Sequence, residues 1–268
     1  MDNTLSGNFS NLDDKIEIAR DLIREQNFVQ AKKFLEELIK LSNHHPDINY
    51  LLGQIYEIDQ DYRRAIECFS TLLDLKPSNE LKHRIAQCFM DGSEYRKAYD
   101  IFKELYENNY EDINIYEQYA HAARILNKSD EAVMAYNRIL DVDKNNIVAL
   151  TQLSDLYYDN DDKINHYLVK AKLNYIENMF SSSVECLKKA LNYTHDDEEI
   201  VDILLNLAKV LTDAGKYSDA IEQYQFVLNL EPDNTYAIEK IDSLCRKMRS
   251  EEDEEPVHWI GKFFSYFH

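Results

Sequence analysis

Fifty Asp and Glu, eight His and four Cys are the side chains in this 268-residue sequence that could do chemistry. Their spacing decides whether they do. The histidines (His44, His45, His83, His121, His166, His195, His258, His268) form no H-E-x-x-H and no i, i+4 pair, the arrangement that presents two imidazoles to one metal ion. His83 and His121 are the pair that neighbouring helices could bring together. The acidic runs Asp159 to Asp162 and Asp196 to Glu199 lack the ligand spacing and central Gly of a calcium loop. They read as solvated turns and as charge at helix N-termini. The sequence has no glycine-rich phosphate cradle and no G-x-S-x-G elbow. Any one carboxylate pair among fifty says little. Cys186 follows S-S-S-V-E without a visible environment that would favour its thiolate, so it reads as a packed thiol. Catalysis is not expected, and neither is a cofactor or a metal.

Residues that do no chemistry must instead present a surface, and composition limits which. Five Gly and four Pro are too few for a chain of many tight turns, while 44% apolar and 30% charged residues suit a folded helical protein. The net charge of −20 repels phosphate backbones and anionic membranes. Nucleic acid is therefore not an expected partner, and neutral or basic polypeptides are. The cysteines (Cys68, Cys88, Cys186, Cys245) are scattered, which suits a reducing compartment. The first residues carry no basic and apolar leader, and no stretch approaches the roughly 18 apolar residues of a membrane span. The expected location is the cytoplasm.

The elements that would position such a surface repeat. Residues 50–79 read YLLGQIYEIDQDYRRAIECFSTLLDLKPSN, with Leu52, Gly53, Tyr56, Tyr62, Ala65, Phe69, Leu72 and Pro77 at set intervals. The arrangement returns in LLNLAKVLTDAGKYSDAIEQYQFVLNLEPDN, with Leu207, Ala208, Leu211, Tyr217, Ala220, Tyr224, Val227 and Pro232. The small residue of each second helix gives the ruler Ala31, Ala65, Ala98 and Ala132, at spacings of 34, 33 and 34. Both segments resemble the tetratricopeptide repeat, and the resemblance covers most of residues 12–249. It implies an all-α, right-handed superhelical solenoid of antiparallel helix pairs, about six units in all. Gly53 and Ala65 are the notches that let two helix axes approach, with Tyr56, Phe69 and Leu72 filling the space around them. One hairpin cannot bury its apolar face alone, so neighbours must stack.

Past residue 147 the ruler slips. Ser183 in FSSSVECLKKAL stands where Ala is expected, 51 residues after Ala132, or one and a half periods. The segment 147–162 reads as a first helix whose partner is missing or replaced by 163–178, and that stretch could pair backwards or forwards. An irregular junction is expected over 147–180, with a sub-domain break near 159–163. Residues 1–11 are expected to be disordered. TYAIEKIDSLCRKM should cap the stack, 250–256 should be an acidic linker, and 257–268 an aromatic tail.

In this family the first helices line a concave groove that receives a peptide. Carried onto this sequence, the groove positions are Arg20 and Arg24, then Tyr50 and Gln54, then His83, Arg84 and Gln87, then Gln118, His121 and Arg124, and finally Gln152 and Tyr158. These types can hydrogen-bond a peptide backbone or pair with carboxylates. Acidic residues such as Asp47 and Glu80 share the surface, and a polar exposed helix face is what any soluble repeat shows. Family members that take chaperone tails carry a clamp of Lys and Asn, Asn, then Lys and Arg. Here the corresponding positions hold Ile16, Arg20 and Leu51, and Arg84 alone matches, so chaperone C-terminal tails are disfavoured.

If helical from Pro256, the tail places Trp259, Ile260, Phe263, Phe264 and Phe267 on one face. Such a face could dock onto its own solenoid, enter a partner's groove, or touch a membrane, which the adjacent acidic stretch opposes. The expected function is a protein-interaction scaffold or adaptor, with the groove holding a partner and the tail as self-docking or second contact. The alternative is an assembly or regulatory subunit of a membrane-associated complex, recruited through the tail.

Overall fold

The computed structural model describes residues 12–108 and 112–254, with side chains to Ser250. The N-terminal stretch 1–11 and the tail residues Trp259, Ile260, Phe263, Phe264 and Phe267 lie outside the described residues. Within them the chain is all helical. The elements are α1 (Leu12–Arg24), α2 (Phe28–Ile39), α3 (Pro46–Ile58), α4 (Tyr62–Leu75), α5 (Asn79–Asp91), α6 (Tyr95–Glu107) and α7 (Ile113–Ile125). They continue as α8 (Ser129–Val142), α9 (Ile147–Asp159), α10 (Lys163–Ile176), α11 (Phe180–Leu191), α12 (Asp197–Asp213), α13 (Tyr217–Leu230) and α14 (Thr235–Glu254).

One turn recurs between helices. The residues Gln26, Gln60, Ser93, Asn127, Asp161, Asn178 and Gly215 all take a positive φ, between 56° and 75°. Each follows a helix, and the next residue's N–H reaches back five residues to a carbonyl. Examples are Asp61 to Tyr56 at 2.8 Å, Asp162 to Tyr157 at 2.9 Å and Lys216 to Leu211 at 2.9 Å. That pairing closes a helix C-terminus and reverses the chain. Side-chain caps then start several of the following helices, from Asn27, Asp61, Asp162 and Asp196 among others. The acidic runs at 159–162 and 196–199 are thus helix ends and caps.

Each turn is flanked by two notch positions twelve residues apart: Ala19 and Ala31, Gly53 and Ala65, Ala86 and Ala98, Ala120 and Ala132, Ser154 and His166, Ala171 and Ser183, Ala208 and Ala220. All are buried except His166, which is half-buried. At Gly53 even a methyl group would fall 2.5 Å from the Phe69 ring, and that ring is 0% exposed. The backbone must therefore be bare there.

The series resolves the slip. The ruler position after Ala132 is His166, 34 residues on, and the next is Ser183, 17 residues further. Helix α10 therefore serves twice, as second helix to α9 and as first helix to α11. On one side the His166 ring nitrogen donates to the Ser154 carbonyl at 2.9 Å. On the other, the Ser183 hydroxyl donates to the Ala171 carbonyl at 2.8 Å. The question of backward or forward pairing has the answer both. Five regular pairs, a sixth in α12 and α13, and the single helices α11 and α14 make up the described chain.

The described residues form two compact units, the first ending at Ile139 and the second beginning at Leu140. The stretch 159–163, expected as a break, is an ordinary hairpin turn around Asp161. In the first unit Ile16, Leu35, Ile48, Leu52, Ile55 and Phe69 are core. In the second, Leu187, Ile203, Leu207, Tyr224, Ala237 and Leu244 are core. Helix α14 caps α13 as expected but runs on through Glu254, into the residues expected as linker.

Candidate partner-binding face

In the first unit, α1, α3 and α5 lie side by side as the first helices of their hairpins. Between α1 and α3 is a hollow of about 260 Å³ lined by Arg20, Ile23, Arg24, Asp47, Tyr50 and Leu51. Three of the expected groove residues thus converge on one cavity with an aliphatic floor. Ile16, one turn earlier on α1, is core instead.

The cations of this face are already partnered. Arg20 bridges Glu17 at 3.1 Å and Asp47 of α3 at 3.0 Å. Arg24 pairs with Asp21 at 2.6 Å and Glu17 at 3.4 Å. Arg84 reaches from α5 to α3, where it bonds Glu57 at 2.5 and 3.4 Å and the Tyr50 hydroxyl at 3.0 Å. Its guanidinium also lies over the Tyr50 and Phe69 rings, at 5.4 and 5.0 Å. Burial alone would lower the Arg84 pKa, but Glu57 and Tyr50 outweigh it and hold it above the usual range. The arginines are therefore struts between first helices as well as possible contacts, a role that sequence spacing did not reveal. Asp47 and Glu57 are the carboxylates that complete it.

The remaining positions divide. Gln54 is half-buried beside Gly53. His83 turns toward α6, its ring 5.9 Å from Phe102, and burial pushes its pKa below the usual value. Gln87 donates to Asp91 at 3.0 Å. On α7, Gln118 and Arg124 are half-buried and His121 is exposed. Gln152 and Tyr158 belong to α9 in the second unit, half-buried and exposed respectively. No three His, Cys, Asp or Glu side chains converge as a metal site among the described residues.

A second polar cluster holds α6, α7 and α8 together. Glu131 accepts from Tyr119 at 2.5 Å, from Tyr99 in a short bond, and from Lys128 at 2.9 Å. Burial of this carboxylate would raise its pKa, but the bonds from Tyr119, Tyr99 and Lys128 prevail and bring it down to about 2. Burial pushes the thiols of Cys68 and Cys88 up to about 11 and about 12. Desolvation also raises that of Cys186. These sulfurs stay protonated at neutral pH.

Residues 22–88 and 113–146 each match a family model described as tetratricopeptide repeat. It is a tetratricopeptide-repeat protein. A TPR repeat-containing protein of Methanocaldococcus jannaschii is 24% identical, over 89% of this chain and 46% of its own length. The chain thus spans about half of that curated relative. Among solved structures, MamA from residue 41 to its end, of Desulfovibrio magneticus RS-1, superposes with a TM-score of 0.53 at 18% identity, covering 63% of this chain and 97% of that one. A tetratricopeptide repeat protein from Parabacteroides merdae gives 0.52 at 13% identity, over 87% of this chain and 98% of that one. At these identities the structures establish the fold alone, an all-α helical repeat. Tetratricopeptide repeats in general make protein-interaction scaffolds. No helix among the described residues is long and apolar enough to cross a membrane.

Proposed function

We propose that this tetratricopeptide-repeat protein is a non-catalytic scaffold that holds a partner polypeptide on the first-helix face of its first unit. The observation that carries the reading is the hollow between α1 and α3. Its floor of Ile23, Leu51 and the Tyr50 ring suits an apolar side chain, and its rim of Arg20, Arg24 and Asp47 offers hydrogen bonds to the backbone on either side. Gln54 and Gln87 extend the polar rim along α3 and α5. Burial keeps the Cys68, Cys88 and Cys186 thiols protonated, which supports a role without chemistry. The strongly negative chain favours a neutral or basic partner.

Arg84 is a poor probe of this reading. Changing it to Glu would set a second carboxylate against half-buried Glu57 and disturb the fold itself. Arg20, Arg24 and Gln54 are better, because exposed ion pairs contribute only about 0–1 kcal/mol to stability. The variant Arg20→Ala/Arg24→Ala/Gln54→Ala should lose partner capture from extract of the source cells at least about tenfold, the effect of removing a few interface contacts. Its helicity and melting should match the parent. Capture at the parental level by the folded variant would contradict the reading.

A further inference from the structure

Four rings in the second unit form a row that the first-unit face does not use. Tyr158, at the end of α9, lies 5.4 Å from His166. His166 lies 5.1 Å from Tyr167, and Tyr167 stacks on Tyr193 at 5.9 Å with planes 11° apart. The row crosses the first turn of α10 and ends just beyond α11. Two of its rings already carry an ammonium group: Lys163 sits 5.4 Å from the Tyr193 centroid and Lys189 sits 5.8 Å from that of Tyr167. Each lysine also has a carboxylate, Asp161 at 3.4 Å and Glu185 at 2.7 Å. Ring faces beside carboxylates take cations here, as the quadrupole of an aromatic ring leads one to expect.

At its α9 end the row is open. Tyr158 is 71% exposed, and no cation of the chain lies over it among the described residues. Asp155, one turn earlier on the same side of the helix, and Asp159 beside it are both exposed. Neither has an ion-pair partner among the described residues. Thr151 and Val148 continue the exposed stripe along α9. The arrangement at Tyr158 is thus that of Tyr167 and Tyr193, with the cation to be supplied from outside.

We propose that this end of the row docks an arginine-bearing segment of a partner protein, its guanidinium on the open face of Tyr158 and within reach of Asp155 and Asp159. Arginine fits better than lysine, because its planar fork stacks on a ring and bonds a carboxylate at once. The aliphatic stem and the neighbouring residue of the segment would lie along Thr151 and Val148. This inference rests on the reading that the chain holds other polypeptides, but it uses residues of the second unit alone.

The net charge of −20 attracts any cationic peptide, so the test compares variants of equal charge. A fluorescein-labelled peptide of alternating Gly and Arg, nine residues long, is titrated with the full chain near physiological salt and followed by anisotropy. Tyr158→Ala should weaken binding about three- to fivefold, the size of one exposed cation–π contact, while Tyr158→Phe should bind like the parent. Tyr236→Ala, another exposed tyrosine of the second unit, should change nothing, and a Gly-Lys peptide should bind more weakly than Gly-Arg. Equal binding by Tyr158→Ala, or an equal loss in Tyr236→Ala, would overturn the proposal. So would tighter binding of oligouridine than of the peptide, which would make the row a base-stacking platform. The Arg20→Ala/Arg24→Ala/Gln54→Ala variant should bind the peptide as the parent does, which keeps the two sites distinguishable.

Discussion

At the scale of single residues, the hydrogen-bonded carboxylate of Glu131 makes the clearest statement about stability. Its pKa falls from 4.5 in the unfolded chain to about 2 in the fold. A depressed carboxylate pKa adds stability that is fully present above the unfolded value and is lost as pH falls through the folded one. The contribution of Glu131 should therefore be intact at pH 7 and disappear between about pH 4.5 and about pH 2. Glu131→Gln should lower stability at pH 7 by about 1–2 kcal/mol, in line with the loss of charge-assisted hydrogen bonds. The gap to the parent should close across that acid window. Urea midpoints at pH 7, 4 and 2.5 check this, and a pH-independent gap would mean that packing, not charge, is lost. Little of this cluster was legible in the sequence, because Tyr99, Tyr119 and Glu131 meet only once three hairpin helices have been placed. The arginines of the first-helix face could be picked out by position, and Asp47 could be placed on the same surface, but the pairing of Arg20 with Asp47 and of Arg84 with Glu57 could not, since fifty acids offer too many candidates.

At the scale of elements, the seven matching turns carry the architecture, and six of them hold a side chain in the left-handed region where glycine is the easier occupant. Gln60→Gly should raise stability by about 0.5–1 kcal/mol, and Gly215→Gln should lower it by a similar amount. Chemical denaturation of both variants measures this directly. Loss of stability in Gln60→Gly would show that the extra freedom of glycine in the unfolded chain outweighs the relief of strain. The regular hairpins were readable because Ala31, Ala65, Ala98 and Ala132 are small where two helices must approach. The fifth was not, because His166 puts a ring into a slot that elsewhere takes only Ala or Ser. A signal was available in the caps: Asn27, Asp61 and Asp162 each precede a second helix, four residues before its notch residue (Ala31, Ala65 and His166) and directly after the left-handed Gln26, Gln60 and Asp161. The half-period at Ser183 then follows from α10 presenting Ser154 with its ring on one side and Ser183 with Ala171 on the other.

At the scale of the whole molecule, the described residues form two units of one repeat type, each with its own core and its own exposed face. In the first, α1 and α3 enclose a hollow with an apolar floor and an ion-paired rim, and α5 lies beside α3. In the second, an aromatic row ends in an open tyrosine flanked by carboxylates. The negative surface gives both faces the same preference for neutral or basic chains. The central claim, that the first helices and not the second ones meet the partner, is tested most directly by hydrogen–deuterium exchange of the full chain with and without its captured partner. Slower exchange in peptides from α1, α3 and α5, with α2, α4 and α6 unchanged, is the predicted result. Protection confined to α2, α4 and α6 would contradict it.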